Sequence, residues 1–107
     1  MSLYILMTRL TVDQLADPRG RRAAGREWLK HVERACPEVK FIAHYALLGR
    51  YDFMDIYEAP NDEIAHKVSL ISRSTGAVTA ESWPAVAYPR FLKISREVAA
   101  EIAKQEE

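Results

Sequence analysis

A single hairpin with apolar side chains on both of its faces limits most strongly what this chain can fold into. Residues 39–48 and 51–58 predict two strands joined at Gly49, since glycine suits the first position of a two-residue type II′ turn. Counting outward from this turn places His44 opposite Asp55. One face then carries Ala43, Tyr45, Leu47, Met54 and Ile56. The other carries Ile42, Ala46, Leu48, Tyr51, Phe53 and Tyr57 together with His44 and Asp55.

These two apolar faces predict that the protein is a homodimer. A sheet with helices on one side needs a polar outer face if that face meets water. Each large apolar side chain is worth roughly 1.5–3 kcal/mol when it is fully buried, so an exposed apolar patch is costly. The sheet of a second copy, related by a twofold axis and stacked about 10 Å away, would cover the patch. A higher even oligomer built on that dimer is equally open.

Two segments before the hairpin predict a strand and a helix. Residues 3–10 are short, apolar and rich in strand formers, so they predict the first strand. Asp17 as N-cap and Pro18 as first helical residue predict a helix that ends at Cys36, before a second proline. Its buried stripe is expected to contain Trp28, Leu29, Val32, Ala35 and Cys36.

A second helix and an edge strand follow the hairpin. Asn61 or Asp62 can cap this helix, and Gly76 is expected to close it. Residues 77–87 predict a fourth strand. Pro84 places that strand at a sheet edge, because proline has no N–H to donate to a ladder. The apolar stripe of this second predicted helix consists of Ile64, Val68 and Ile71.

The order β-α-β-β-α-β is that of the ferredoxin-like α+β fold, in which helices cover one face of a four-stranded antiparallel sheet. An extra C-terminal helix is predicted at about 89–105, where we expect it to brace the partner copy. Its apolar positions are Phe91, Ile94, Val98 and Ile102. The 107 residues, 49% of them hydrophobic, suit one domain over 1–107 with its core at about 3–92.

Charge and composition limit the kinds of partner, cofactor and cellular location that are expected. The formal charge is zero, so neither nucleic acid nor an acidic membrane is expected as a partner. No apolar run is long enough to cross a bilayer and no signal-peptide pattern opens the chain, so a cytoplasmic location is expected. The three histidines and single cysteine are scattered, which predicts no metal and no other cofactor. Four arginines (Arg19, Arg21, Arg22 and Arg26) favour a solvated helix face over an anion site.

The segment "GRYDFMDIYEAPND", with the first strand and the arginine-rich helix, resembles the GYD domain family over roughly residues 3–92. The centre of the resemblance is Gly49, Tyr51 and Asp52. The family is similar in pattern to the dimeric α+β barrel group, and a comparable Gly-x-Tyr-Asp hairpin occurs in small-molecule-sensing domains of the Lrp/AsnC type. The resemblance implies the fold and the oligomer, and it implies no particular activity.

Candidate ligand-binding residues are Arg9, His44, Tyr51, Asp52, Asp55 and Trp83. The His44–Asp55 pair is either a cross-strand pair at the rim that fixes register, or a pocket dyad in which Asp55 orients His44 as a proton acceptor. For Tyr51 and Asp52, which lie next to the turn, stabilising the turn is a more favoured role than contacting a ligand. Arg9 can neutralise one of the nearby carboxylates, and Trp83 fits an interface or core better than a stacking platform.

Three classes of function follow from these residues. The first, which we favour, is a homo-oligomeric domain that binds a small molecule between helices and sheet or at the dimer seam. The second is a cofactor-independent isomerase or monooxygenase with His44, Asp55 and Tyr51 as its acid–base set. The third is an interaction protein that uses the assembly itself.

Overall fold

A computed structural model describes residues 1–106 and has an α+β architecture. Its elements are β1 (Ser2–Leu10), α1 (Val12–Leu15), α2 (Arg21–Ala35), β2 (Lys40–Ala46), β3 (Phe53–Ala59), α3 (Asp62–Ser74), β4 (Ala77–Ala85) and α4 (Tyr88–Gln105). The strands form one sheet in the order β2-β3-β1-β4, and all neighbouring strands are antiparallel. The ferredoxin-like fold is therefore confirmed, with β4 and its Pro84 at an edge as predicted.

The core lies between one face of the sheet and the helices α2 and α3. Strand alternation points Tyr4 and Leu6 of β1 toward the helices. The Tyr4 ring stacks on Tyr57 of β3 with 5.4 Å between centroids. Val32 of α2 and Val68 of α3 close this layer, and both are fully buried. Since their positions repeat every three or four residues on each helix, the predicted stripes supply most of what the helices contribute to the core, although Ala35 is exposed.

The predicted register of the hairpin is correct over four pairs and then changes at a bulge. His44 lies opposite Asp55, as counting from the turn predicts. Uninterrupted counting would pair Ile42 with Tyr57, but the register shifts there and Phe41 takes that place. The shift brings the Phe41 ring to 5.7 Å from Tyr57 and to 5.3 Å from Trp28. Ile42 is left about half exposed, so the bulge packs the partly buried Phe41 ring against the core in place of Ile42.

The predicted two-residue turn is wrong. The strands of the hairpin stop at Ala46 and restart at Phe53, and Gly49 does not adopt a positive φ. Asp52 explains the longer connection, because it bonds to β1 as well as to Leu47, the residue that follows β2. Its N–H donates to the carbonyl of Thr8 at 2.9 Å, and its carboxylate accepts the N–H of Leu10 at 2.8 Å.

Helix α2 begins three residues later than predicted. Its N-cap is Gly20, and the Asp17 carboxylate instead accepts the backbone N–H of Arg19 at 2.8 Å and pairs with that side chain at 3.0 Å. These bonds lower the pKa of the Asp17 carboxyl. They also hold Pro18 in a turn outside the helix. At α3 the prediction is confirmed, since the Asn61 side chain accepts the N–H of Ile64 at 3.0 Å.

Substitution by alanine is expected to destabilise the protein at Gly76 and to have little effect on stability at Gly49. Gly76 has φ +120°, and an added Cβ would lie 2.0 Å from Cγ of Gln14. We expect Gly76→Ala to lower the free energy of unfolding by about 1–3 kcal/mol, the usual cost of backbone strain. At Gly49 an added Cβ meets nothing within 4 Å, so Gly49→Ala should stay within about 0.5 kcal/mol of wild type. Urea unfolding of both variants measures these free energies. A large loss of stability in Gly49→Ala would contradict the observed conformation and support a type II′ turn instead.

The second face of the sheet and helix α4 stay exposed to solvent. Ile5, Met54 and Ile56 lie on this open face and are only half-buried, with Trp83 of β4 more exposed beside them. No side chain of α4 is buried, and its apolar stripe is 37–52% exposed. The stripe consists of the predicted positions Phe91, Ile94, Val98 and Ile102. An unpaired amphipathic helix of this length needs a further surface to pack against.

Candidate functional site

A cavity of about 510 Å³ lies between α2 and the helix-covered face of the sheet. Its walls are largely apolar and include Leu10, Trp28, Leu29, Phe41 and Phe53. Small residues on the facing side of α2 leave this space open: an added Cβ at Gly25 would meet nothing within 4 Å. The volume is within the range of about 300–1,000 Å³ that small-molecule pockets occupy.

His44 and Asp55 form a hydrogen-bonded pair in the wall of this cavity. Nδ1 of His44 lies 2.6 Å from Oδ1 of Asp55, and the His44 ring stacks on Phe53 at 5.3 Å. Asp55 is buried, whereas 59% of the His44 side chain is exposed. Burial raises the pKa of the Asp55 carboxyl, and the charge and hydrogen bond of His44 oppose that rise. When Nδ1 carries the proton and donates it to Asp55, Nε2 is left as an acceptor.

Arg21 also borders this cavity, and the candidate residues inferred from the sequence did not include it. Its guanidinium carbon lies 5.3 Å from the centroid of the Phe53 ring, and its Nε and Nη1 atoms are buried with no hydrogen-bond acceptor among residues 1–106. A signal for this position was present in the sequence, because Arg21 continues the buried stripe of Trp28 and Val32 at helical spacing.

Tyr51 and Trp83 lie on the opposite face of the sheet from the His44–Asp55 pair. The Tyr51 hydroxyl and the Trp83 indole N–H both donate to the Glu81 carboxylate at 2.9 Å. The hydrogen bond from Trp83 lowers the pKa of the Glu81 carboxyl most, and the hydrogen bond from Tyr51 lowers it further. The prediction that Tyr51 shares a face with His44 is wrong, because the longer connection breaks the strand alternation before residue 51.

The remaining candidates, Asp52 and Arg9, belong to neither group. The Asp52 carboxylate is engaged by the backbone N–H of Leu10 and ties the connection to β1. Arg9 is exposed and forms no ion pair within residues 1–106. The structure therefore brings together two of the six predicted site residues in the cavity, His44 and Asp55, and adds Arg21 to them.

The sheet order and the cavity beneath α2 define this chain as a ferredoxin-like α+β domain with a pocket between helix and sheet. A family model described as "GYD domain" matches residues 4–94, and the chain belongs to the GYD domain family. The resemblance of the hairpin motif to that family is thereby confirmed.

A solved structure described as "crystal structure of FFRP-DM1" is similar to the chain with a TM-score of 0.54 and 17% sequence identity. The match covers 80% of this chain and 100% of that one, and at this identity it shows the fold alone. A search of curated proteins found no match.

Two further properties concern the part of the chain that the structure describes. Within residues 1–106, no helix has the length and apolar character needed to cross a membrane. In the same residues, no three His, Cys, Asp or Glu side chains are grouped so that they could hold a metal ion.

Proposed function

We propose that this GYD-domain protein is a homo-oligomeric module that binds a small, largely apolar molecule in the cavity beneath α2. The observation that supports the proposal is the cavity itself, with its apolar walls and its few polar groups. Pockets of this make-up gain affinity from the apolar surface and orientation from the polar groups. Among the polar groups that line the cavity, His44, Asp55 and Arg21 are the ones that we propose orient the ligand. Because the formal charge of the chain is zero, the proposal includes neither nucleic acid nor a membrane as a partner. We also propose that the protein is cytoplasmic.

The homo-oligomer is supported by the open face of the sheet. Ile5 of β1 and Ile56 of β3 lie side by side on this face, with Ala43 of β2 and Trp83 of β4 in register on either side. A contiguous apolar surface of this kind marks an interaction site in a protein that stays dispersed in water. A twofold axis over β1 and β3 would place the same residues of two copies against each other.

Helix α4 supports the same assembly. Its exposed stripe belongs to a helix that makes the described chain 65 Å long against 30 Å and 19 Å in the other directions. We propose that α4 packs on the partner copy, where the stripe would be covered. The helix is separated from the edge strand β4 by two residues, so it leaves the sheet at an edge from which we propose that it reaches the second copy.

Binding is tested with the two tryptophans, since Trp28 lines the cavity and Trp83 does not. In a Trp83→Phe background, the neutral probe 2-naphthamide should change the fluorescence of Trp28 with saturation. A metabolite panel screened by thermal shift should then contain compounds that raise Tm, because a ligand at 100 times its Kd adds about 2.7 kcal/mol of stability. A flat titration together with a panel in which nothing raises Tm would contradict the proposal.

A second candidate function is a cofactor-independent isomerase or monooxygenase, and the His44–Asp55 pair favours it. A histidine oriented by a carboxylate at 2.6 Å can accept a proton from a bound substrate, the first step that both reactions share. Tyr51 is no longer part of that acid–base set, since it lies across the sheet.

This candidate predicts exchange of hydrogen for deuterium. Panel compounds with a C–H beside a carbonyl group should gain deuterium in D₂O when the protein is present, as measured by mass spectrometry. His44→Gln should slow the exchange by roughly 10²-fold or more, the usual contribution of a general base. His66→Gln is the matched control, because His66 is exposed on α3 and should leave the rate unchanged. Equal rates in both variants would remove His44 from the chemistry.

A further inference from the structure

Three arginines border the cavity and form no ion pair with the residues that the structure describes. Arg19 forms ion pairs with Asp17 and Glu27 at 3.0 Å and 2.7 Å. Arg21, Arg22 and Arg26 line the cavity, and they form no ion pair within residues 1–106. Asp55 is the one carboxylate among the lining residues, and it is bonded to His44. The wall of the cavity therefore carries more positive than negative charge, although the whole chain is neutral.

Arg21 differs from its neighbours because part of its guanidinium is shut off from water. Arg22 and Arg26 are exposed, so solvent satisfies their N–H groups. Nε and Nη1 of Arg21 are buried and have no acceptor in the structure. The Phe53 ring meets the guanidinium at 5.3 Å, but an aromatic face does not replace acceptors for all of the N–H groups around the guanidinium edge. A buried charged donor left without an acceptor is strongly unfavourable, so an acceptor that a ligand brings to these atoms, after a small movement of the groups that cover them, would be bound well.

The remaining walls decide which anion fits. They are mostly aromatic and aliphatic, and they favour a ligand with one small charged group on an apolar body. A carboxylate carries a single negative charge and accepts hydrogen bonds from a guanidinium in well-defined geometry. A phosphate would bring nearly two charges into the same apolar surroundings, at a higher cost of desolvation.

We propose that the cavity takes an aromatic or similarly apolar monocarboxylate whose carboxylate accepts hydrogen bonds from Arg21. This inference rests on the proposed binding function and names the class of its ligand. His44 and Arg21 both lie against the Phe53 ring, so the ligand body would extend from the arginine along the wall that carries the His44–Asp55 pair.

The test compares 2-naphthoate with 2-naphthamide, two probes of nearly equal shape that differ in charge. Wild type should bind 2-naphthoate at least about tenfold more tightly, which corresponds to 1.4 kcal/mol. Arg21→Gln should abolish this preference by weakening 2-naphthoate, with 2-naphthamide unchanged. Arg34→Gln is the matched control, because it removes the same charge from an exposed position of α2 outside the cavity, and it should keep the preference.

An NMR measurement on wild type keeps the inference testable even if Arg21→Gln does not fold. The Nε–H signal of Arg21, assigned by its loss in Arg21→Lys, should shift on saturation with 2-naphthoate and stay in place with 2-naphthamide. Equal binding of the two probes by wild type would overturn the carboxylate subsite and leave the cavity proposal standing. Binding of neither probe would overturn both, and an Arg21 signal that ignores bound 2-naphthoate would overturn the role of Arg21.

Discussion

Replacing Ile56 with aspartate is expected to leave a folded monomer of 12.2 kDa, whereas the proposed wild-type dimer has twice that mass. Ile56 lies at the middle of the open face, paired with Ile5 on one side and with Ala43 on the other. In the monomer this side chain is half-exposed, so a carboxylate there can reach water. In the proposed dimer both copies would bury an unpaired charge, at about 3–5 kcal/mol each, which weakens the Kd by at least about 10⁴-fold.

Sedimentation velocity over a range of protein concentrations measures this effect. The matched control is Val12→Asp, which adds the same charge at an exposed position of α1, on the helix side of the sheet, and should leave the dimer intact. Circular dichroism should show the same secondary structure in all three proteins. A wild type that sediments as one 12.2 kDa species at every concentration would end the proposal, as would an Ile56→Asp protein that stays dimeric.

The short helix α1 was not predicted, but the order of the other elements was, because each depends on local sequence signals. Alternation in the hairpin predicted the pairing of His44 with Asp55, and Pro84 predicted an edge strand. Asn61 predicted the start of α3 because its side chain bonds within the same turn. These signals act over at most a few residues along one strand or helix, so no tertiary contact is needed to interpret them.

Two of the errors, at the bulge and at the turn, fall where a contact distant in the sequence overrides a local preference. The bulge at Ile42 depends on Trp28 and Tyr57, which pack around Phe41 from other elements. The conformation at Gly49 depends on Asp52 bonding to Thr8 and Leu10 of β1. Counting residues along a hairpin cannot include such partners, and the wrong turn then placed Tyr51 on the wrong face.

The candidate site was predicted less completely than the fold for the same reason. The His44–Asp55 pair follows from the register of the hairpin, which can be predicted by counting residues outward from the turn. The cavity depends on how far α2 stands from the sheet, which the sequence pattern does not determine. Arg21 was interpreted as one of four solvated arginines because a charged residue on a helix is usually exposed. Its place on the stripe of Trp28 and Val32 was the stronger signal.

Replacing Gly25 with phenylalanine is expected to make the protein more stable while it loses its ligand. Gly25 is inside α2, where glycine costs roughly 1 kcal/mol relative to alanine. It borders the cavity, and a Cβ there meets no atom within 4 Å, so an aromatic ring can enter the open space without displacing the core. Better helix propensity and added apolar burial should together raise Tm by about 4–8 °C, the shift that 1 kcal/mol gives in a small domain. The same ring would occupy the place of a ligand, so the affinity for 2-naphthamide should fall by at least about tenfold, or 1.4 kcal/mol.

Gly25→Ala separates the two effects, because it improves the helix without filling the cavity. It should gain stability of about 0.5–1 kcal/mol and bind 2-naphthamide as wild type does. Thermal unfolding and Trp28 fluorescence in the Trp83→Phe background measure both quantities on the same samples. If Gly25→Phe bound the probe as tightly as Gly25→Ala, the ligand would have to lie outside the cavity. If both variants lost the probe, the cause would be a change in α2 itself. A gain in stability that comes with a loss of binding in Gly25→Phe alone is the result expected of a space that the fold keeps open for a ligand.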